Sequence, residues 1–239
     1  MHELTQRQGE ILSKTIADYI RVGEAVSSDD IRKRHRLVYS PATIRNELRE
    51  LTSLGYLTQP HTSAGRIPTD LGYRWYVKKL EKSYASERPE HEISRLAGSV
   101  DDPNDFFRQS TETLAPLVQA LVIGGTLEDK DESFYMNGFR ELLATPEFTE
   151  RELRDAFGEL MDSLDSLLRK VLRAREFSRP HVFIGSENPI PEARHCSMIV
   201  QTLDLGGARG VIAILGSKRM RYDRGLKFLT EINNLINHV

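Results

Sequence analysis

The first eighty residues alternate amphipathic segments with clear stop signals. Ile11, Leu12, Ile16, Tyr19 and Ile20 recur in pairs and singles about one helical turn apart, a spacing that puts them on one face of a helix. Thr5 stands ahead of that segment as an N-cap, Gln8 is placed to close a capping box, and Gly23 ends it. Ser27 or Ser28 opens a short polar helix, SSDDIRKRHR, with Ile31 as its inward anchor. Ser40-Pro41 opens a third. The serine caps it and the proline takes the first turn, where a missing N–H costs little. Ile44, Leu48 and Leu51 follow at i, i+4 and i+7 as its buried stripe. Asn46 and Arg49 lie on the opposite face, flanked by Arg45 and Thr43. Gly55 closes this helix. Residues 56–59 then predict one strand and 65–67 a return strand, with 60–64 as the tip between them. Thr69 caps a final helix that carries Tyr73, Trp75, Tyr76 and Leu80.

The remainder is less regular. Residues 83–103 are polar and include Pro89 and Gly98; they read as a linker with a short helix. A helix is expected from 106, with Pro116 marking a start or a break. Gly124-Gly125 and 128–132 read as loop, 134–136 as a strand and 137–143 as a short helix or turn. Between 150 and 176, Leu153, Phe157, Leu160, Leu164, Leu167 and Val171 alternate steps of four and three, the period of a coiled-coil seam. Met161, Leu168 and Leu172 widen the stripe, which favours a helix lying on its own domain. Residues 181–184 predict a strand, 196–203 and 210–215 a hairpin about the turn 204–207, and 224–238 a closing helix. The expected organisation is α+β: a winged-helix domain over 1–80, a linker over 81–105 and an α+β body over 106–239.

Charge separates these parts further. The whole chain of 239 residues carries a formal −2. Residues 1–80 hold 13 Lys/Arg against 9 Asp/Glu, a balance of +4, and the rest is acidic at −6. A basic head on an acidic body suits DNA binding by the head. The single cysteine, Cys196, allows no internal disulfide and suits a reducing compartment. The opening MHELTQRQGE does not resemble a signal peptide, and no apolar run reaches the roughly 20 residues that span a bilayer. A cytoplasmic protein is expected.

Helix, helix, recognition helix, two-stranded wing and closing helix is the order of a winged helix-turn-helix, which places one helix in the DNA major groove. Asn46 can read adenine bidentately, and Arg45 or Arg49 guanine. Thr43 suits a phosphate or a thymine methyl. Ser40, at the helix N-terminus, favours a phosphate. Arg32 and Lys33 on the preceding helix, with Arg34 and Arg36, suit backbone phosphates. His61, Thr62, Ser63 and Arg66 form the expected wing contact with phosphate or minor groove. The competing reading is a protein-interaction or ligand-sensing module without base readout. The basic balance and the Gly-Arg of the wing favour DNA.

Other chemistry is not indicated. None of the seven histidines stands at ligand spacing from another His or a Cys; His195 and Cys196 are adjacent on a strand and diverge. No metal and no cofactor are expected. Cys196 reads as a buried strand residue. Gly206-Gly207-Ala208-Arg209-Gly210 reads as a hairpin turn rather than a phosphate loop, since no helix follows. Lys218, Arg219, Arg221 and Arg224 read as a solvated helix entry. No carboxylate pair or Ser/His arrangement stands out, so no enzyme is expected.

Three N-terminal segments, LTQRQGEIL, DYIRVGEAVSS and SPATIRNELRELTSLGYLTQPHTSAGRIPTDLGYRWYV, resemble the DNA-binding domain of HrcA, the bacterial heat-inducible transcription repressor family. YMNGFRELLATPEF, VFIGSEN and GVIAILGSKRMRYDR resemble later blocks of that family in the same order. The resemblance implies a repressor that binds an inverted-repeat operator of chaperone genes as a homodimer and lets go on heat stress, with the GroE chaperonin as a partner that keeps it active. It also implies a winged helix, a GAF-like α+β domain and an inserted dimerisation domain. Between Leu80 and Ser133 there is too little sequence for that insertion. A shortened member with a reduced GAF-like body is expected.

Overall fold

The computed structural model describes residues 3–61, 64–84, 93, 95–127, 133–149, 151, 154–155, 157–159, 161–162, 176–189 and 191–238. The chain divides into two compact units, Met1–Lys79 and Leu80–Val239.

In the first unit, α1 (Gln6–Val22) starts at Thr5, whose hydroxyl accepts the Gln8 N–H while the Gln8 side chain accepts the Thr5 N–H. Gly23 ends it in the left-handed region at φ 81°, a backbone that glycine adopts without a Cβ penalty. The second helix, α2 (Ser28–His35), has a reciprocal cap between Ser27 and Asp30. Hydrogen bonding to Ser27 holds the Asp30 carboxyl below its ordinary value. Ser40 caps α3 (Pro41–Ser53), with Pro41 at its first position. Ile11, Leu12, Ile16, Ile31, Ile44, Leu48 and Leu51 are all buried and form the helical core. Each such side chain contributes about 1.5–3 kcal/mol on burial.

The wing is β1 (Leu57–Thr58) and β2 (Ile67–Pro68), antiparallel, with Leu57 opposite Pro68 and Thr58 opposite Ile67. The return strand therefore starts later than residue 65. Arg66 instead bridges to Val26, each N–H donating to the other's carbonyl at 2.8 and 2.9 Å. Gly65 permits this approach, because a Cβ there would lie 2.4 Å from the Val26 carbonyl. Then α4 (Asp70–Tyr84) begins at Thr69, whose hydroxyl accepts the Gly72 N–H and donates to the Gly55 carbonyl at 2.6 Å. Tyr73, Tyr76 and Val77 of α4 are buried.

The second unit is built on one antiparallel sheet of five strands in the order β4-β3-β7-β6-β5. These are β3 (Leu121–Thr126), β4 (Phe134–Asn137), β5 (His181–Ile184), β6 (Cys196–Leu205) and β7 (Ala208–Ser217). On one face lie α5 (Pro103–Val118) and α7 (Tyr222–His238). Ser197 of β6 is hydrogen bonded to the Tyr222 hydroxyl at 2.7 Å, and Gln201 donates to Asn233 at 3.1 Å. By strand alternation, Cys196, Met198 and Val200 face the other way. There they join Leu121, Ile123, Val211, Ala213 and Leu215 in a cluster with Leu142 of α6 (Phe139–Leu143), Phe157, Phe177 and Phe183. A sheet covered on both faces reads as continuous apolar runs, as in MIV and VIAIL.

Several expectations change here. Gly124-Gly125 are not loop; they lie inside β3, paired with both β4 and β7. The sheet needs them bare. A Cβ at Gly124 would meet the Thr111 methyl at 2.9 Å, and one at Gly125 the Ser133 carbonyl oxygen at 2.1 Å. Pro116 starts nothing: it sits in the last turn of α5, which ends at Val118. The hairpin turn is only Gly206-Gly207, both at positive φ (64° and 98°), so the strands run two residues closer to it than expected. That pair of conformations is the two-residue turn matched to strand twist. Within 81–105, Ile93 and Leu96 are buried and α5 already starts at Pro103. The 128–132 loop and most of the 150–176 helix lie outside the described residues, although Phe157 is buried in the sheet's apolar cluster. Among the described residues no helix is long and apolar enough to cross a membrane.

Candidate nucleic-acid interface

The site is built on α3. Its buried stripe fixes which residues face out. Ala42, Arg45, Asn46 and Arg49 follow at i, i+3, i+4 and i+7 and are all exposed, one stripe along the helix. Arg45, Asn46 and Arg49 make no ion pair or side-chain hydrogen bond among the described residues. Glu47 and Glu50 neighbour these residues in sequence, yet neither forms an ion pair with Arg45 or Arg49 among the described residues.

Glu47 shows why. It is 6% exposed and turned toward α1, where the Arg7 guanidinium meets its carboxylate at 2.5 Å. Tyr39, just before α3, donates to Glu10 of α1 at 3.0 Å, a bond that raises the phenol's pKa. Both contacts hold α3 against α1 and remove one negative charge from the outward face. Sequence spacing alone cannot reveal a pair forty residues apart.

Ser40 and Thr43 are more occupied than expected. The Ser40 hydroxyl accepts the Thr43 N–H at 3.1 Å and lies 2.8 Å from the Thr43 hydroxyl. Pro41 has no N–H. The helix N-terminus thus keeps the Ala42 amide for an incoming phosphate, together with its dipole.

On α2, Arg32 and Lys33 are exposed. Arg34 and His35 are not equivalent to them. Both turn to Asp18 of α1, at 3.5 and 3.2 Å, and Arg21 joins at 3.2 Å. Asp18 is 2% exposed; Arg21 donates to its Oδ1 at 3.2 Å and Arg34 pairs with its Oδ2, so this buried acid is charge-paired by arginines from two helices. Arg36 ends α2 in the left-handed region at φ 48°. In the turn that follows, Leu37 and Tyr39 are half-buried and Val38 is 93% exposed. The sequence reading singled out neither Val38 nor Ala42, both apolar and neither part of a charge or hydrogen-bond motif.

In the wing, His61 is exposed, and Thr62 and Ser63 lie outside the described residues. Arg66 is not at the tip. It stands at the wing's base, half-buried, with its Nε donating to the Thr52 hydroxyl of α3 at 3.0 Å. Desolvation, and then the charge of Arg49, hold its guanidinium below its ordinary pKa. Gln59, just after β1, donates to the Ala64 carbonyl at 2.9 Å.

Residues 3–81 match the family model described as the HrcA winged helix-turn-helix DNA-binding domain of a transcription repressor, and residues 79–225 match the HrcA C-terminal domain. The chain belongs to the HrcA family. It is similar to the heat-inducible transcription repressor HrcA of Acetivibrio thermocellus, 49% identical over 93% of this chain and 92% of that one. It is also similar to the HrcA of Geobacter sulfurreducens, 25% identical over 100% of this chain and 99% of the relative. Those aligned spans, 328 and 341 residues, exceed the 239 residues here. Both relatives therefore carry internal sequence without a counterpart in this chain. A crystal structure described as a hypothetical protein shares the fold, with a TM-score of 0.78 and 20% identity over 99% of this chain and 98% of that one. HrcA proteins are transcription repressors with a winged-helix DNA-binding domain, not enzymes. Among the described residues no group of His, Cys, Asp or Glu could hold a metal ion.

Proposed function

We propose that this HrcA protein represses chaperone genes by binding an inverted-repeat operator as a homodimer in the cytoplasm and releasing it on heat stress. The observation that carries the DNA contact is the stripe Arg45, Asn46 and Arg49, exposed and without an ion pair among the described residues, on a helix that turns Glu47 inward to Arg7. Asn46 suits adenine, and Arg45 or Arg49 guanine. Ser40, Thr43, Arg32 and Lys33 would take backbone phosphates around that helix, and His61, Thr62 and Ser63 a phosphate or the minor groove at the wing tip. Arg66, at the wing base, would take a phosphate. The second unit, read as a reduced GAF-like body, would pair two such heads and answer to the GroE chaperonin. Both of these roles rest on the family resemblance.

The test is a band-shift titration against an inverted-repeat duplex selected from a randomised library, beside a scrambled duplex of equal length. Specific recognition gives affinities at least about a thousandfold apart. Equal affinity for the two duplexes would overturn base readout and leave a head that serves another purpose.

A further inference from the structure

Arg66 is held at several points. Its N–H and carbonyl both bond Val26, its Nε bonds the Thr52 hydroxyl, and its Nη1 donates to the Gly65 carbonyl at 3.4 Å. Thr52 follows Arg49 by three residues on α3, so the two side chains are neighbours on the helix surface. This brings the Arg66 guanidinium beside that of Arg49. Neither arginine has an acidic partner among the described residues. Two like charges are held close with no ion pair to either among the described residues, an arrangement that an anion relieves. Burial first, and then the charge of Arg49, hold the Arg66 guanidinium below its ordinary pKa.

DNA geometry supplies the anion. If α3 lies in the major groove and the wing in the adjoining minor groove, the sugar–phosphate strand between the grooves must cross their junction. That junction is the end of α3 and the base of the wing. We infer that Arg49 and Arg66, with Thr52 as the positioning residue that aims Arg66, form one preorganised seat for a single backbone phosphate. This deepens the DNA-binding reading and rests on it. The seat reads no sequence, so guanine readout falls to Arg45 of the two candidate arginines; the seat fixes how deep α3 sits while the wing engages.

The full chain tests this with the same selected and scrambled duplexes, titrated across salt. Each phosphate neutralised contributes about 0.9 to the slope of log K against log salt. The double variant Arg49→Ala/Arg66→Ala should lower the slope by about 0.9, one phosphate's worth, on both duplexes. Thr52→Val keeps both charges. It should leave the slope unchanged while weakening both duplexes by about threefold to tenfold, the worth of a lost hydrogen bond. Arg66→Lys should mimic it, and adding Thr52→Val to Arg66→Lys should cost nothing more. A slope loss of about 1.8 in the double variant, two separate phosphates, would overturn the seat. So would wild-type affinity in Thr52→Val. A wild-type protein that shifts neither duplex would defeat the DNA-binding reading itself, a different result from either of these. Thermal unfolding of each variant, matched to wild type, keeps a folding defect from imitating a lost contact.

Discussion

At the scale of single residues, a side chain's type matters less than what it already holds. Arg32 and Arg34 are alike in sequence, lie on the same helix and are both exposed, yet Arg34 reaches back to the buried Asp18 while Arg32 makes no ion pair among the described residues. We therefore expect Lys33→Ala or Arg32→Ala to weaken selected and scrambled duplexes alike and lower the salt slope by about 0.9 each. Arg34→Ala should instead lower the melting temperature, because it removes a partner from a buried carboxylate. Asn46→Ala should cost about 1–3 kcal/mol of discrimination at one base pair and leave the salt slope alone, read by titrating duplexes with single base changes. Cys196 behaves differently again. Burial pushes its thiol up from 9.0 to about 11. The folded state keeps a proton that the unfolded state loses above pH 9, so stability is intact below that value and falls as pH rises toward 11. Melting curves at pH 8 and pH 10 should show a decline that Cys196→Ala reduces, and a thiol reagent should label the native protein slowly at pH 8.

At the scale of elements, the helices of the head were legible because their signals are local. Thr5 with Gln8, Ser27 with Asp30 and Ser40 with Pro41 all cap within four residues, and the apolar spacing of α1 and α3 chose the buried faces without help from the rest of the chain. The recognition stripe followed from that same spacing. What could not be read depends on distant partners. Gly124 and Gly125 look like loop residues until Thr111, Phe107 and Ser133 crowd the positions where their side chains would be. Arg66 looks like a wing-tip cation until Val26 and Thr52 hold it at the base. Glu47 looks like a competitor for Arg45 or Arg49 until Arg7 claims it. Two element-level outcomes follow. Ser40→Ala should cost about 1 kcal/mol by removing the α3 cap, seen in thermal unfolding, and should blunt specificity as the first turn frays. Gly65→Ala forces a Cβ against the Val26 backbone; the wing must shift, so DNA affinity should fall further than helix content by circular dichroism.

At the scale of the molecule, the chain is two cores with separate contents. The head closes on Ile11, Ile16, Ile31, Ile44 and Leu51; the body closes on a sheet with apolar residues on both faces. Ile44→Ala should destabilise the head by about 2–5 kcal/mol. Calorimetry should place that loss in one transition and leave the body's transition in place. A single transition that shifts as a whole would show the two cores melting together. Light scattering with and without the selected duplex measures the remaining step, whether two heads share one inverted repeat. A strict one-to-one complex would remove the dimer from the proposal.

The bridge between Val26 and Arg66 has a consequence for variation and engineering. The wing's return strand is bonded to the chain just ahead of α2 as well as to β1, so its root has no hinge. That fixed root makes positions 61–64 of the sequence a natural place for exchange. Tips of different length or charge grafted there should change how far the wing reaches and which groove width it tolerates. Its aim relative to α3 should stay the same.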